Sequence, residues 1–158
     1  MKLSTRARYA LRMLLDIGEH SREGKPVKLE EVARRTGISR RYLDQIVLPL
    51  KNEGLLRGVK GPGGGYLLGK DAEQLDLASI LEAELGPISL VDCVLDRDIC
   101  ARSDDCTTRL VYRLLSLYIR TVLKDLSVSD LLDTRKVKKI QRKIESMEAG
   151  LEREQASG

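Results

Sequence analysis

Thirteen residues, "GVKGPGGGYLLGK" from 58 to 70, hold six of the chain's thirteen glycines and one of its four prolines. Backbone freedom at that density does not suit a helix, and the apolar residues on either side do not suit a linker. A phosphate-cradling loop would need a strand, a glycine loop ending in Lys-Ser/Thr, and then a helix. No GK[ST] occurs in the chain, and the run leads into apolar strand residues instead. The segments 55 to 60, "LLRGVK", and 66 to 69, "YLLG", therefore read as two short strands joined by "GPGGG" in a hairpin.

What precedes the hairpin gives it meaning. Residues 4 to 18 carry Tyr9, Ala10, Met13, Leu14 and Ile17 at helical spacing, with Ser4 or Thr5 as cap. "HSREGKP" is a loop. Leu29, Val32 and Ala33 mark a short helix stopped by Gly37. Ser39 caps a second helix with Tyr42, Leu43, Ile46 and Val47 on its apolar side. Pro49 suits the first turn of a further short helix, closed by Gly54. Two short helices around a tight glycine turn form a helix-turn-helix, and the hairpin behind it is then a wing. Ser39, Arg40, Arg41, Asp44 and Gln45 lie on the outward side of the second helix. These are donors and acceptors of a length suited to base edges and phosphates. Lys60, at the base of the glycine-rich tip, would bring charge to a narrow minor groove, and the glycines permit close approach.

Charge distribution agrees. Residues 1 to 61 hold 14 Lys and Arg against 7 Asp and Glu, and the remainder 14 against 17. A basic first third joined to a mildly acidic remainder points to a polyanion-binding module attached to something with another task. No window approaches eighteen uninterrupted apolar residues, so no membrane span is expected. The N-terminus lacks the features of a signal peptide, and a cytoplasmic location is expected. With one His, no Ser/His/Asp set and no paired carboxylates in a known motif, the chain does not read as an enzyme.

Residues 71 to 86 read as a helix capped by Asp76 or Ser79, with Leu77, Ile80, Leu81 and Leu85 on its apolar face. A loop with all three cysteines follows, and then, over about 103 to 126, the expected longest helix. Its rows Leu110, Leu114, Leu117 and Val111, Leu115, Tyr118, Val122 are wider than one small winged domain needs, which points to dimerisation. From 134 the chain is highly charged, with a short heptad seam at Val137, Ile140, Ile144, Met147 and Leu151. The basic run Arg135 to Lys143 reads as a solvated face, and the last few residues are expected to fray.

Cys93, Cys100 and Cys106 are spaced C-x6-C-x5-C in a polar, Asp-rich loop. Structural zinc favours paired C-x2-C knuckles. The wider spacing suits a larger object, such as an iron–sulfur cluster. Arg97, Arg102 and Arg109 favour the thiolate, whereas Asp92, Asp96, Asp98, Asp104 and Asp105 oppose it. Three thiols leave one coordination place open, and the lone His20 lies elsewhere in sequence.

The segments "RYALRMLLDI", "ISRRYLDQI", "GLLRGVKGPGGGYLLG" and "LDLASILEAELG", with the cysteine loop before a long helix, resemble the winged helix-turn-helix regulators typified by the iron–sulfur cluster regulator IscR and the nitric-oxide-sensitive repressor NsrR. The resemblance covers roughly residues 1 to 126. It implies a homodimer with crossing long helices, double-stranded DNA as partner, and an iron–sulfur cluster as cofactor. By position, Ser39, Arg41 and Gln45 would face bases, and Lys60, Pro62 and Gly63 would enter the minor groove. With Arg40 and Tyr42 these complete the expected DNA-contact set. Cys93, Cys100 and Cys106 would ligate the cluster, either [2Fe–2S] or [4Fe–4S], with an open fourth ligand. The chain departs from the pattern at Lys60, where IscR-like members have Arg, at Asp44 for Glu, and at Arg109, which stands in the place of a ligating His. Arg8 and Arg12 occupy the region where other members supply a carboxylate ligand from the partner's first helix.

The expected protein is mainly α: a winged helix-turn-helix domain over 1–86, a cysteine loop over 87–106, a dimerisation helix region over 103–133 and a charged tail, a candidate helix, over 134–158. Two other functions fit the same residues. One is a cluster-free regulator switched by thiol oxidation or a partner. The other, more remote, is an iron–sulfur carrier or electron-transfer protein.

Overall fold

The computed structural model describes residues 4–156. Its first layer is α1 (Thr5–His20), α2 (Leu29–Thr36) and α3 (Arg40–Asn52), followed by the hairpin β1 (Leu56–Val59) and β2 (Gly65–Leu68). Then come α4 (Leu77–Leu85), the cysteine loop, α5 (Thr107–Lys124), α6 (Val128–Leu132) and α7 (Thr134–Ala156). The mainly helical winged fold read from the sequence is the fold observed.

The helix starts follow the sequence closely. Ser4 Oγ accepts the Ala7 amide at 3.2 Å, Ser39 Oγ the Tyr42 amide at 3.3 Å, and Asp76 Oδ1 the Ser79 amide at 2.8 Å. Each satisfies a first-turn donor that the helix cannot pair internally. Gly37 ends α2 at φ +71°, a left-handed turn that an L side chain would strain. This turn sends α3 off across α2. Met13, Leu14, Ile17, Leu29, Leu43, Ile46, Leu50, Leu75 and Ile80 are fully buried or nearly so and form one core shared by α1 to α4.

The hairpin pairs antiparallel, with Leu56 opposite Leu68 and Val59 opposite Gly65. Its outer edge is not bare. Val27, two residues before α2, exchanges both backbone hydrogen bonds with Tyr66, at 2.9 and 2.8 Å. That pairing roots the wing in the body of the domain.

Several boundaries differ from the sequence reading. α1 runs to His20 rather than 18. Residues 71 to 86 split into a 3-10 turn at Ala72–Gln74 and α4 from Leu77, because Asp76 starts a new helix by capping Ser79. Pro49 does not begin a further helix; it lies inside a continuous α3. The long helix begins at Thr107, not 103, since Ser103, Asp104 and Asp105 form a turn that their short polar side chains favour. It is not the longest: α5 has 18 residues and α7 has 23. Strong helix formers and the 3–4 seam carry the tail helix to Ala156. The expected fraying at the very end concerns residues outside the described ones.

α6 is held by a capping box, with Ser127 Oγ accepting the Asp130 amide and Asp130 Oδ2 accepting the Ser127 amide at 2.8 Å. Paired backbone bonds Leu77 N to Leu126 O and Val128 N to Leu75 O, both 2.9 Å, tie it to the start of α4. α7 continues from α6 with Ile144, Met147 and Leu151 exposed. No helix among the described residues is long and apolar enough to cross a membrane.

Candidate nucleic-acid interface

α3 presents two kinds of residue on its open side. Ser39 is exposed, but its hydroxyl is committed to the cap. Arg40 is engaged by carboxylates, pairing with Glu30 and, at 3.0 Å, with Asp44. Tyr42 is half-buried and meets Tyr9 edge-on, with ring centroids 5.5 Å apart at 77°. Arg41 and Gln45 are different. Both are exposed, one helical turn apart, and neither side chain has a partner among the described residues.

Lys60, Pro62 and Gly63 are all exposed at the wing's tip. Gly61 and Gly63 hold φ of +102° and +84°, so the tip can take only glycine there without strain. Gly65 serves another purpose: a Cβ there would lie 2.5 Å from the Val27 carbonyl oxygen, the atom that anchors the wing.

α5 leaves an apolar face uncovered. Leu110, Leu114, Leu117, Tyr118 and Val122 are each more than half exposed, Tyr118 by 63%. Ser116 and Arg109 are its two buried residues. The Ser116 hydroxyl accepts the Leu90 amide at 3.0 Å, and Arg109 Nε donates to the Cys93 carbonyl at 2.6 Å. The buried side of α5 thus holds the cysteine loop, and the bare side faces outward.

The three cysteines are free thiols. Cys93 lies half-buried in the 3-10 turn Asp92–Val94, Cys100 is exposed, and Cys106 is half-buried at the N-cap of α5. Cys106 Sγ lies 3.1 Å from the Thr108 hydroxyl. That contact, then the Arg109 amide, with smaller help from the Arg102 charge, lowers its pKa below the ordinary thiol value. Arg97, Ser103, Cys106, Arg109 and Arg113 line an open cavity of about 280 Å³, in which the buried Ser103 hydroxyl has no partner. Among the described residues no three His, Cys, Asp or Glu side chains converge as a metal site.

A family model for Rrf2, described as an iron-dependent transcriptional regulator, matches residues 3–134. The chain belongs to the Rrf2 family. It is 39% identical over 137 residues to the HTH-type transcriptional regulator IscR of Photorhabdus laumondii, covering 87% of this chain and 82% of that protein. It superposes on CymR, the global cysteine regulator of B. subtilis, with TM-score 0.69 and 28% identity over 84% of this chain and 96% of the other. T. potens IscR gives 0.67 and 26% identity, over 84% and 86%. This Rrf2 chain is therefore a winged-helix transcriptional regulator and not an enzyme. The matched family segment ends at the first residue of α7, and the rest of that helix lies beyond it.

The donor set fits an iron–sulfur cluster in kind: three unpaired thiols in one loop, one of them acidified, beside an unsatisfied hydroxyl. Sequence reasoning missed the cross-helix ion pairs Arg6–Glu84 and Arg120–Glu82, of which only the Glu84 side chain is fully buried. Their signal was weak, because a charged residue on a helix is usually solvated.

Proposed function

We propose that this protein is a homodimeric, cytoplasmic, sequence-specific DNA-binding regulator whose operator affinity is set by an iron–sulfur cluster on Cys93, Cys100 and Cys106. One observation carries the reading. The loop with all three thiols is fastened to the buried side of α5, whose opposite side is a bare apolar face. A second copy covering that face would leave the thiol loop one helix width from the subunit seam, joined to it through α5.

On DNA, Arg41 and Gln45 enter the major groove, and Lys60, Pro62 and Gly63 enter the adjoining minor groove. Ser39 and Arg40 stand at the α3 N-terminus, where backbone amides and a guanidinium suit a phosphate. Tyr42, braced by Tyr9, offers its hydroxyl to the sugar-phosphate wall. When bound, the cluster supplies iron open to oxidants or nitric oxide. The chain's own part is mechanical. Reordering of the loop acts on Arg109 of α5 through the Cys93 carbonyl, and on Glu82 of α4 through the Ile88 amide. Glu82 also takes Arg120 of α5 at 2.8 Å, so α4 and α5 shift together, and the spacing of the two reading helices in the dimer changes.

A second reading is favoured by the Cys106 thiol, which the Thr108 hydroxyl contact and the Arg109 amide bias towards the oxidisable thiolate: a cluster-free regulator of the same fold switched by thiol oxidation. Visible absorption and iron content of anaerobically prepared protein separate the two. Iron-dependent absorption that disappears in Cys93→Ser supports the cluster. Colourless protein with three titratable thiols supports thiol switching.

A further inference from the structure

Pro49 lies inside α3, beyond the first turn, where a residue ordinarily donates its amide to the carbonyl four residues back. Proline has no amide hydrogen, so the carbonyl of Gln45 loses its helical partner. That carbonyl is not left empty. Nη2 of Arg6, from α1, donates to Gln45 O at 3.3 Å. The same guanidinium donates through Nε to Glu84 Oε2 of α4 at 3.0 Å. The Glu84 side chain has no exposed surface, whereas Arg6 is 45% exposed. Its other oxygen, Oε1, is buried without a partner, so Arg6 is the group that holds this carboxylate.

We infer that Arg6 is a positioning residue for DNA reading: it supplies, from α1, the hydrogen bond that Pro49 removes from Gln45, and Glu84 fixes the guanidinium that does so. The chemistry is specific to arginine. A planar fork presents two N–H groups in fixed directions, one for the carboxylate and one for the carbonyl, and an ammonium on a flexible stem does not hold both. The position is specific too. The orphaned carbonyl belongs to Gln45 itself, and Arg41 lies one turn before it on the same helix. A helix freed at that carbonyl bends there, and both exposed reading side chains swing with it. Glu84 ties this turn to α4, whose Glu82 is joined to Arg120 of α5 and to the first residues of the cysteine loop. The reading turn is thereby referenced to the element that the proposed switch moves. The inference rests on the reading that Arg41 and Gln45 contact bases.

The test uses the full chain as wild type, Arg6→Ala, Pro49→Ala and the double variant. Each is titrated with a duplex selected by wild type from a random pool, and with a random-sequence duplex of the same length. Arg6→Ala is expected to reduce the preference for the selected duplex about tenfold or more, while the salt dependence on the random duplex changes by less than one phosphate's worth, roughly 0.9 in slope. Pro49→Ala restores the amide at position 49, so the double variant is expected to recover most of the preference. Arg6→Lys is expected to fail to rescue. Should Arg6→Ala not fold, Arg6→Gln with Glu84→Gln leaves no lone buried charge and serves in its place. Unchanged preference in Arg6→Ala, or additive losses with no recovery in the double variant, overturns the inference. Gln45→Ala distinguishes the two levels. If it abolishes preference while Arg6→Ala does not, only this inference falls. If it leaves preference intact, the α3 reading falls and takes the inference with it.

Discussion

Arg109 Nε donates to the backbone carbonyl of Cys93 at 2.6 Å, and the Arg109 side chain is buried. One arginine of α5 thus fastens a loop residue sixteen positions earlier in sequence. A hydrogen bond from a charged donor in a shielded place contributes about 1.5–3 kcal/mol. Arg109→Gln is expected to lower stability by about 1–2 kcal/mol and to speed amide exchange at Val94 and Leu95, with α1 to α4 unaffected. Unchanged exchange at those two amides would show that the bond does not hold the turn.

Two glycine substitutions are expected to move stability in opposite directions. Gly65→Ala sets a Cβ 2.5 Å from the Val27 carbonyl oxygen and must break the bridge that roots the wing. A loss of about 2 kcal/mol or more is expected. Gly150 lies in α7 with nothing within 4 Å of its would-be Cβ. Gly150→Ala is expected to raise the helix's stability by about 0.5–1 kcal/mol. Chemical denaturation of the wing and circular dichroism of the tail measure the two.

Leu114 is 53% exposed on the bare face of α5. Leu114→Asp therefore costs the single chain little, because no buried contact is lost. In a dimer through α5 it buries an unpaired carboxylate, with a penalty of several kcal/mol. Sedimentation at micromolar concentration is expected to show a dimer for wild type and a monomer of native helicity for the variant. A wild-type monomer would remove the dimer from the proposal.

Asp130 titrates at about 2, lowered first by Lys136 and then by the Ser127 amide and hydroxyl. Its folded pKa lies below the unfolded value, so its contribution is full above about pH 4 and is lost as pH falls towards 2. The side chain is 20% exposed, and screening reduces the effect to about 1 kcal/mol. Wild type is expected to lose α6 and the root of α7 across that window, and Asp130→Asn is expected to show a flatter acid profile.

The parts legible in sequence were those decided locally. Ser39, Asp76 and Gly37 announce helix ends because a cap or a left-handed turn depends on one residue and its near neighbours. The glycine run gave the wing for the same reason, since Gly61 and Gly63 are required by their own φ values. Partnerships across the chain were hidden. Val27 reads as an ordinary apolar residue, and its pairing with Tyr66 depends on where the wing folds back. Pro49 was read as a helix start because proline inside a helix costs about 3 kcal/mol, and the compensating Arg6 lies far away in sequence. Arg40 and Tyr42 kept their places on α3 but proved engaged, by carboxylates and by Tyr9, which composition could not show. The tail's full helix was underestimated because its short seam says little about length.

The central claim is that the state of the three thiols sets the grip on DNA. The direct measurement is the affinity of one anaerobic preparation for its selected duplex, before and after iron removal, at a single fixed salt concentration. The account predicts a change of about tenfold or more, roughly 1.4 kcal/mol, absent in the Cys93→Ser/Cys100→Ser/Cys106→Ser variant. Equal affinity in both states, and in that variant, would contradict it.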